Sequence, residues 1–192
     1  MKIASILPYK ENYTQRGSGA VSLWVADFIR DSIFKKDTYI FGSTKNKNYL
    51  TNNYININLN NFESKFNSST KLYSNEILKK IKKFHFDIIE LHNRPIMVKD
   101  FLKKTESKII LYFHNDPTTM KGTKTINERI NLLKNVDKII FISKWVKNRY
   151  FKNLPVLSDN KTEIIYHSID PLKKLKKKNK QIIFVGKLNE TK

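Results

Sequence analysis

The sequence predicts an α/β fold in which helices cover both faces of a central parallel sheet. Short apolar runs rich in Ile, Val, Phe and Tyr recur along the 192 residues. Segments of helical periodicity separate these runs, as in a sheet whose strands are joined by crossover helices. Several runs are apolar at consecutive positions, which is typical of strands buried on both faces. The sheet is therefore expected at the centre of the molecule.

Seven apolar runs are predicted as strands, and five segments between them as helices. The strands are expected at residues 3–7, 39–41, 54–59, 88–91, 109–113, 138–142 and 164–166. In the first helix, predicted over residues 20–34, Val21, Trp24 and Val25 share one face. Helical spacing indicates further helices at residues 77–84, 98–102 and 126–133. A last helix is predicted at residues 144–151, where Ser143 can cap the first turn. Residues 42–53 and 60–69 lack periodicity and are predicted as loops.

The composition excludes several classes of protein. With 40% hydrophobic and 12% aromatic residues, the chain has the apolar content of an ordinary globular domain. The absence of cysteine excludes a disulfide framework and a thiolate metal site, and it fits a reducing compartment. No apolar run approaches the roughly 20 residues that span a bilayer, and the first residues are too short an apolar run for a signal peptide. We therefore expect a cytoplasmic protein.

The formal net charge of +20 has two interpretations. Clustered Lys and Arg attract nucleic acids and anionic membranes. The 37 basic residues comprise 32 Lys and 5 Arg, and Arg is the residue that contacts bases and phosphates through a bidentate fork. Solvated surface lysines are therefore favoured over nucleic-acid binding. Weak peripheral attraction to an anionic membrane face stays open.

A glycine turn precedes the first predicted helix. Gly17, Ser18 and Gly19 stand directly before it, where glycines allow close backbone approach and the free N–H groups suit a phosphate or a hydroxyl. The turn lacks the GxGxxG pattern, so a dinucleotide site is disfavoured. As an isolated signal, such a turn is also compatible with a flexible connector.

Polar residues follow two further predicted strands. His92, Asn93 and Arg94 follow one strand, and the run His114, Asn115, Asp116 follows another. Ligands of open α/β sheets bind outside the carboxyl ends of the strands, so Ser18, Asn93, Arg94 and Asn115 are candidates for lining a cleft. Either stretch alone is also compatible with an ordinary loop that has no functional role, since each ends in a proline turn.

Metal and covalent catalysis are disfavoured by the same residues. His92, His114 and Asp116 could be considered as metal ligands, but no third histidine has plausible spacing and no HExxH pattern occurs. There is no cysteine, and no serine lies in a GxSxG turn. No metal and no cofactor are expected.

Taken in order along the chain, these motifs resemble glycosyltransferase family 4. The resemblance is carried by Gly17-Ser18-Gly19, Phe113-His114-Asn115, residues 140–143 and 164–170, and most specifically by residues 183–192, IFVGKLNETK. It implies a GT-B fold, in which two Rossmann-like domains face each other across a cleft. The expected boundaries are an N-terminal domain at 1–170, a lysine-rich linker at 171–180 and the first strand of a truncated second domain at 181–192.

The resemblance also implies roles for individual residues. His114 aligns with a family histidine beside the donor sugar and is the catalytic candidate. Gly17 and Gly19 align with the glycine turn near the donor phosphates. Lys187 and Lys192 align with the arginine and the lysine that bind the donor diphosphate in the family. A lysine at 187 retains the positive charge but cannot form the paired hydrogen bonds of an arginine. The family's two-glutamate motif is absent from the sequence, so this chain alone is expected to bind donor weakly and to be inactive.

The implied activity is the transfer of a sugar, with retention of configuration, from a nucleotide-diphosphate donor to a glycan or lipid-linked acceptor. The stretch Asn93-Arg94-Pro95 also resembles members that build cell-surface polysaccharide or lipopolysaccharide. Two alternatives remain. One is a sugar-nucleotide epimerase with the same GT-B fold, and the other is a basic module that binds nucleic acid or a membrane surface.

Overall fold

The computed structural model describes residues 1–59, 68–155 and 160–168. In these residues the chain forms one sheet of seven strands, and every neighbouring pair is parallel. The strands are β1 (Ile3–Ile6), β2 (Thr38–Gly42), β3 (Tyr54–Asn56), β4 (Ile88–His92), β5 (Lys108–Phe113), β6 (Lys138–Phe141) and β7 (Thr162–Ile164). The predicted α/β class with a parallel sheet is confirmed.

The strand order reverses beside β1. The order across the sheet is β3-β2-β1-β4-β5-β6-β7, so the chain leaves β1 toward one edge and leaves β4 toward the other. In open parallel sheets, the loops after two such neighbouring strands diverge and leave a crevice at the carboxyl ends. Crevices of this kind are the usual ligand sites of open parallel sheets.

Helices cover both faces of the sheet, as predicted. The helices are α1 (Ala20–Arg30), α2 (Ser69–Ile81), α3 (Val98–Leu102), α4 (Ile126–Asn135) and α5 (Lys144–Phe151). Among the described residues, α1 packs alone on one face with a small apolar cluster around Trp24 and Val25. The larger core lies on the other face, where α2 to α5 pack on side chains such as Leu91, Phe113 and Phe141.

The polar residues that follow α1 end this helix earlier than the periodicity predicts. The prediction extended α1 to residue 34, but α1 ends at Arg30. The hydroxyl of Ser32 accepts the N–H of Phe34 at 3.1 Å and offers the backbone a turn in place of another helical bond. Ile33 therefore faces solvent with 89% of its surface exposed.

Two strands also differ from their predicted bounds by more than one residue at an end. β3 ends at Asn56 rather than at residue 59, and β7 spans Thr162–Ile164 rather than 164–166. One further ladder bond follows β7, from the N–H of Ile165 to the carbonyl of Phe141 at 2.9 Å. Ile164 and Ile165 thus still pack on the sheet, and only the pairing is shifted. The predicted linker 171–180 and the tail 181–192 lie outside the described residues.

The predicted cap of α5 is present. The hydroxyl of Ser143 accepts the N–H of Val146 at 3.2 Å, which satisfies one free donor of the first turn. We expect Ser143→Ala to lower the free energy of unfolding by about 1 kcal/mol, whereas Ser143→Asp, which retains an acceptor, should stay close to wild type. Urea unfolding measures both variants. Equal stability of Ser143→Ala and wild type would contradict a stabilising role for the cap.

Candidate functional site

Two buried histidines join the strand ends at the crevice. His92 Nδ1 and His114 Nε2 lie 3.0 Å apart and share a hydrogen bond. The other ring nitrogen of His92, Nε2, lies 2.9 Å from the hydroxyl oxygen of Ser5. Side chains thereby connect β1, the end of β4 and the residue that follows β5. His92 is fully buried, whereas His114 is 8% exposed and keeps a narrow contact with the crevice.

Trp24 brings α1 into contact with this pair. Its ring meets His114 edge-on, with the centroids 5.0 Å apart, and lies 5.9 Å from His92. His167, which follows β7, stacks on Trp24 at 5.7 Å. The sequence predicted only that Trp24 lies on the buried face of α1, because no local pattern reports which strand ends a helix crosses.

Burial keeps both paired imidazoles uncharged at neutral pH. It lowers the pKa of His114 to about 4, and the neighbouring His167 adds to this shift. Burial, together with the nearby His114, holds the pKa of His92 well below its ordinary value. Each ring therefore carries one proton, and the bond between them uses the proton of one ring and the lone pair of the other.

Asn93 locks the loop after β4 to the loop after β5. Its side-chain oxygen accepts the N–H of His114 at 2.8 Å, and its own N–H donates to the carbonyl of Tyr112 at 2.9 Å. Asn93 has a positive φ of 52°, a conformation that Asn tolerates better than most residues. It is only 4% exposed, so this candidate for lining the cleft positions His114 from behind.

The glycine turn before α1 is held together by its own polar side chains. Ser18 accepts the N–H of Thr14 at 2.9 Å and donates to the carbonyl of the same residue, so its hydroxyl closes the turn. Gly17 has φ of 81°, which favours glycine. A Cβ at Gly19 would collide with the carboxylate of Glu11, so glycine is required there while Glu11 keeps its place.

The carboxylate of Glu11 lies at the N-terminus of α1, the predicted anion site. Its Oε1 accepts the N–H of Ser22 at 3.4 Å. Half-buried Arg94 donates to the carbonyl of Asn93 at 2.9 Å. Burial lowers the pKa of Arg94, while Tyr73 and Glu11 oppose this shift. Sequence reasoning missed Glu11, because a long loop separates it from the helix that it reaches.

The second candidate loop is fixed to α5. Arg149 contacts Asp116 through Nε at 2.8 Å and through Nη2 at 2.8 Å, and its Nη2 also donates to the hydroxyl of Thr118 at 2.9 Å. These contacts hold the pKa of the Asp116 carboxyl below its usual value, against the opposing effect of burial. Asn115 lies between His114 and this clamp and is exposed to solvent. Asn115 is therefore free to meet a ligand, whereas Asp116 is already engaged.

Lys187 and Lys192 lie outside the described residues. In the ranges 1–59, 68–155 and 160–168, His, Asp and Glu side chains form no group of three that could hold a metal ion. Over the same ranges, no helix has the length and hydropathy of a membrane span.

Comparison with known proteins gives a consistent assignment. Residues 38–172 match the family model of Glycosyltransferase Family 4. A stretch of 99 residues, 51% of this chain, is 28% identical to YtcC of Bacillus subtilis (strain 168), a protein assigned as a glycosyltransferase, and covers 24% of it.

Solved structures show the same fold. HepE of Anabaena, crystallised with UDP and glucose, aligns with a TM-score of 0.58 at 12% identity, over 88% of this chain and 45% of HepE. A glycosyltransferase of Rickettsia africae ESF-5 aligns with a TM-score of 0.57 at 17% identity, over 88% of this chain and 43% of the Rickettsia protein. Sucrose-phosphate synthase of Thermosynechococcus elongatus aligns with a TM-score of 0.57 at 9% identity. This alignment covers 86% of this chain and 48% of the synthase. The chain spans less than half the length of these proteins.

The fold and the crevice at the strand reversal define a Rossmann-like domain of the kind that forms one half of a GT-B protein. The family match extends over most of this domain. The chain belongs to glycosyltransferase family 4.

The lock formed by Asn93 can be tested by two substitutions. Asn93→Gly keeps the positive φ but leaves the N–H of His114 without its buried acceptor, and we expect a loss of about 1–3 kcal/mol in the free energy of unfolding. Asn93→Ala should cost about 1–2 kcal/mol more, because alanine is strained at positive φ. Urea unfolding gives both values. Equal stability of the two variants would show that the left-handed conformation is not required.

Proposed function

We propose that the protein containing this chain transfers a sugar from a nucleotide-diphosphate donor to a glycan or lipid-linked acceptor, with retention of configuration. The observation that carries the proposal is the uncharged His114 at the crevice of a family 4 domain, held by His92 and Asn93. The complex of HepE with UDP and glucose supports a sugar nucleotide as the donor.

The chemistry that His114 can perform is limited by its pKa. In the transfer, the bond from the anomeric carbon to the diphosphate oxygen breaks and a bond to an acceptor oxygen forms. The acceptor loses its proton in this step. An imidazole with a pKa of about 4 is a weak base, and effective proton transfer requires a pKa near the working pH. His114 therefore positions the donor sugar by a hydrogen bond, while the departing diphosphate is the group that takes up the acceptor proton.

The donor diphosphate is proposed to lie on the other side of the crevice. Gly17 and Gly19 present the N-terminus of α1, whose dipole favours negative charge. Arg94 lies nearby with its guanidinium half-buried. By resemblance to the family, Lys187 and Lys192 would supply further positive charge to the departing diphosphate.

The acceptor and the cellular location belong to the same proposal. An acceptor sugar or lipid carrier would meet Asn115 and the rim near Ser18, in the synthesis of cell-surface polysaccharide or lipopolysaccharide. We place the protein in the cytoplasm, with peripheral contact to an anionic membrane face. The net charge of +20 supports this contact, as does Trp145, which is 59% exposed beside Lys144.

The proposed activity is tested with the whole protein that contains this chain. It is incubated with UDP-, GDP-, ADP- and dTDP-sugars, with and without membrane lipid extract, and nucleotide release and product mass are measured. Sugar transfer that requires the acceptor supports the proposal. Conversion of the sugar nucleotide into an isomer without acceptor would instead identify an epimerase.

Replacement of His114 separates turnover from binding. In the whole protein we expect His114→Ala to lower kcat at least about tenfold, equivalent to about 1.4 kcal/mol of transition-state stabilisation, with a smaller change in donor Kd. His85→Ala is the matched control, because His85 is exposed and precedes β4, at the amino ends of the strands and away from the crevice. An unimpaired His114→Ala enzyme would remove His114 from the site.

Replacement of Glu11 tests where the phosphates bind. If they bind at the N-terminus of α1, the Glu11 carboxylate repels them, and Glu11→Gln should strengthen binding of the nucleoside diphosphate about 3- to 10-fold at low ionic strength. Glu106→Gln is the control for net charge, because Glu106 is exposed and precedes β5 at the amino ends of the strands. Calorimetry measures the affinity. Unchanged or weaker binding by Glu11→Gln would place the phosphates elsewhere.

A further inference from the structure

A chain of buried polar groups extends behind His114 to Glu90. Glu90 and Ser5 are register partners on the paired strands β4 and β1. From Ser5 the chain continues to His92 Nε2 at 2.9 Å and from His92 Nδ1 to His114 Nε2 at 3.0 Å. Glu90 Oε2 also lies 4.0 Å from His92 Nε2, on the same side of that ring. Ser5 and His92 are fully buried, and Glu90 is 8% exposed.

The charged carboxylate of Glu90 favours one orientation of the Ser5 hydroxyl group. Ser5 can donate to Glu90 or to His92, and a charged acceptor forms the stronger hydrogen bond. Burial raises the pKa of Glu90, and the Tyr112 and Ser5 hydroxyls oppose this shift, as expected for hydroxyl groups directed at a carboxylate. Tyr112 donates to Glu90 Oε1 at 3.2 Å. Glu90 thus accepts from Tyr112 through Oε1, while Oε2 faces His92 Nε2 and the Ser5 hydroxyl bound to it.

The remaining protons follow from this first one. When Ser5 donates to Glu90, its oxygen can only accept from His92, so the proton of His92 is on Nε2. The Nδ1 of neutral His92 is then a bare acceptor, and the proton between the rings belongs to Nε2 of His114. Nδ1 of His114 is left with a lone pair.

This last nitrogen is available to a ligand. Within the described residues, Nδ1 of His114 makes no hydrogen bond, and it is not among the buried polar atoms that lack a partner. It therefore has access to the crevice.

We propose that Glu90, acting through Ser5 and His92, fixes the proton of His114 on Nε2, so that Nδ1 presents a hydrogen-bond acceptor to the crevice. Glu90, Ser5 and His92 are positioning residues that act through His114. Together with the proposed function, this inference means that the crevice holds a sugar hydroxyl that donates its proton to Nδ1. A ligand without a hydroxyl at that place would leave Nδ1 unpaired and would bind less well.

The surroundings of Glu90 set the conditions for a test. Burial raises the pKa of Glu90 to about 7, so the carboxylate is ionised at pH 8.5. The titratable groups facing it are His92 on its own strand and Tyr112 on β5, and Asp27 of α1 and Tyr166 line the same cavity.

The test is ¹⁵N NMR of the chain labelled at its four histidines, recorded at pH 8.5 without any substrate. The shifts of the two ring nitrogens report which of them carries the proton. We expect His114 of the wild type to carry it on Nε2. In Glu90→Met, Ser5 loses its charged acceptor and can donate to His92, so the fraction of His114 with its proton on Nδ1 should rise at least about twofold.

Matched variants separate this effect from a change in packing. Tyr112→Phe removes the other hydrogen bond to Glu90 and leaves the chain to His114 intact, so the proton of His114 should not move. Glu90→Leu repeats the substitution with a second apolar side chain in case Glu90→Met does not fold. A wild-type proton on Nδ1, or an unchanged position in the folded Glu90 variant, would overturn the inference. Because no substrate is present, this result is independent of whether the protein transfers a sugar.

Discussion

The central position of β4 is the constraint on which the candidate site depends. β4 pairs with β1 on one side and with β5 on the other, and only this arrangement brings Ser5, His92 and His114 together. Side chains alternate along a strand, so Ile89 and Leu91 enter the larger core while Glu90 and His92 face α1. A slip of one residue would exchange these faces and bury a carboxylate in an apolar core. The packing of the core therefore holds the polar chain in register.

The two faces of the sheet differ in what they can tolerate. On the larger face, aromatic rings such as Phe113 and Phe141 stack with their centroids 5.8 Å apart in a closely packed apolar core. On the other face, α1 leaves a cavity of about 770 Å³ beside Trp24, Glu90 and Tyr112. Polar groups there can satisfy one another and remain close to water. This difference explains how buried histidines and a carboxylate coexist with a well-packed core in one sheet.

The sequence predicts the fold far better than the details of the site. Consecutive apolar residues identify β4 and β5 because burial on both faces leaves a local pattern, and Ser143 identifies a helix start because capping is local. The contacts of Glu11 and Trp24 depend on which distant elements meet, and no spacing in the sequence reports that. Asn93 shows the same limit: its position after a strand was readable, but its bond to the backbone of His114 requires the β4–β5 pairing.

The crevice offers two electrostatic environments that match the two parts of the proposed donor. At the N-terminus of α1, the helix dipole and Arg94 favour negative charge, and Glu11 supplies it in this structure. At His114, burial disfavours any charge, and the ring offers a neutral hydrogen bond. A nucleotide sugar has a charged diphosphate joined to a neutral sugar, so one orientation suits both environments and the reverse orientation suits neither. Because the Glu11 carboxylate already lies at this helix end, it competes with any other anion for the free N–H groups of α1.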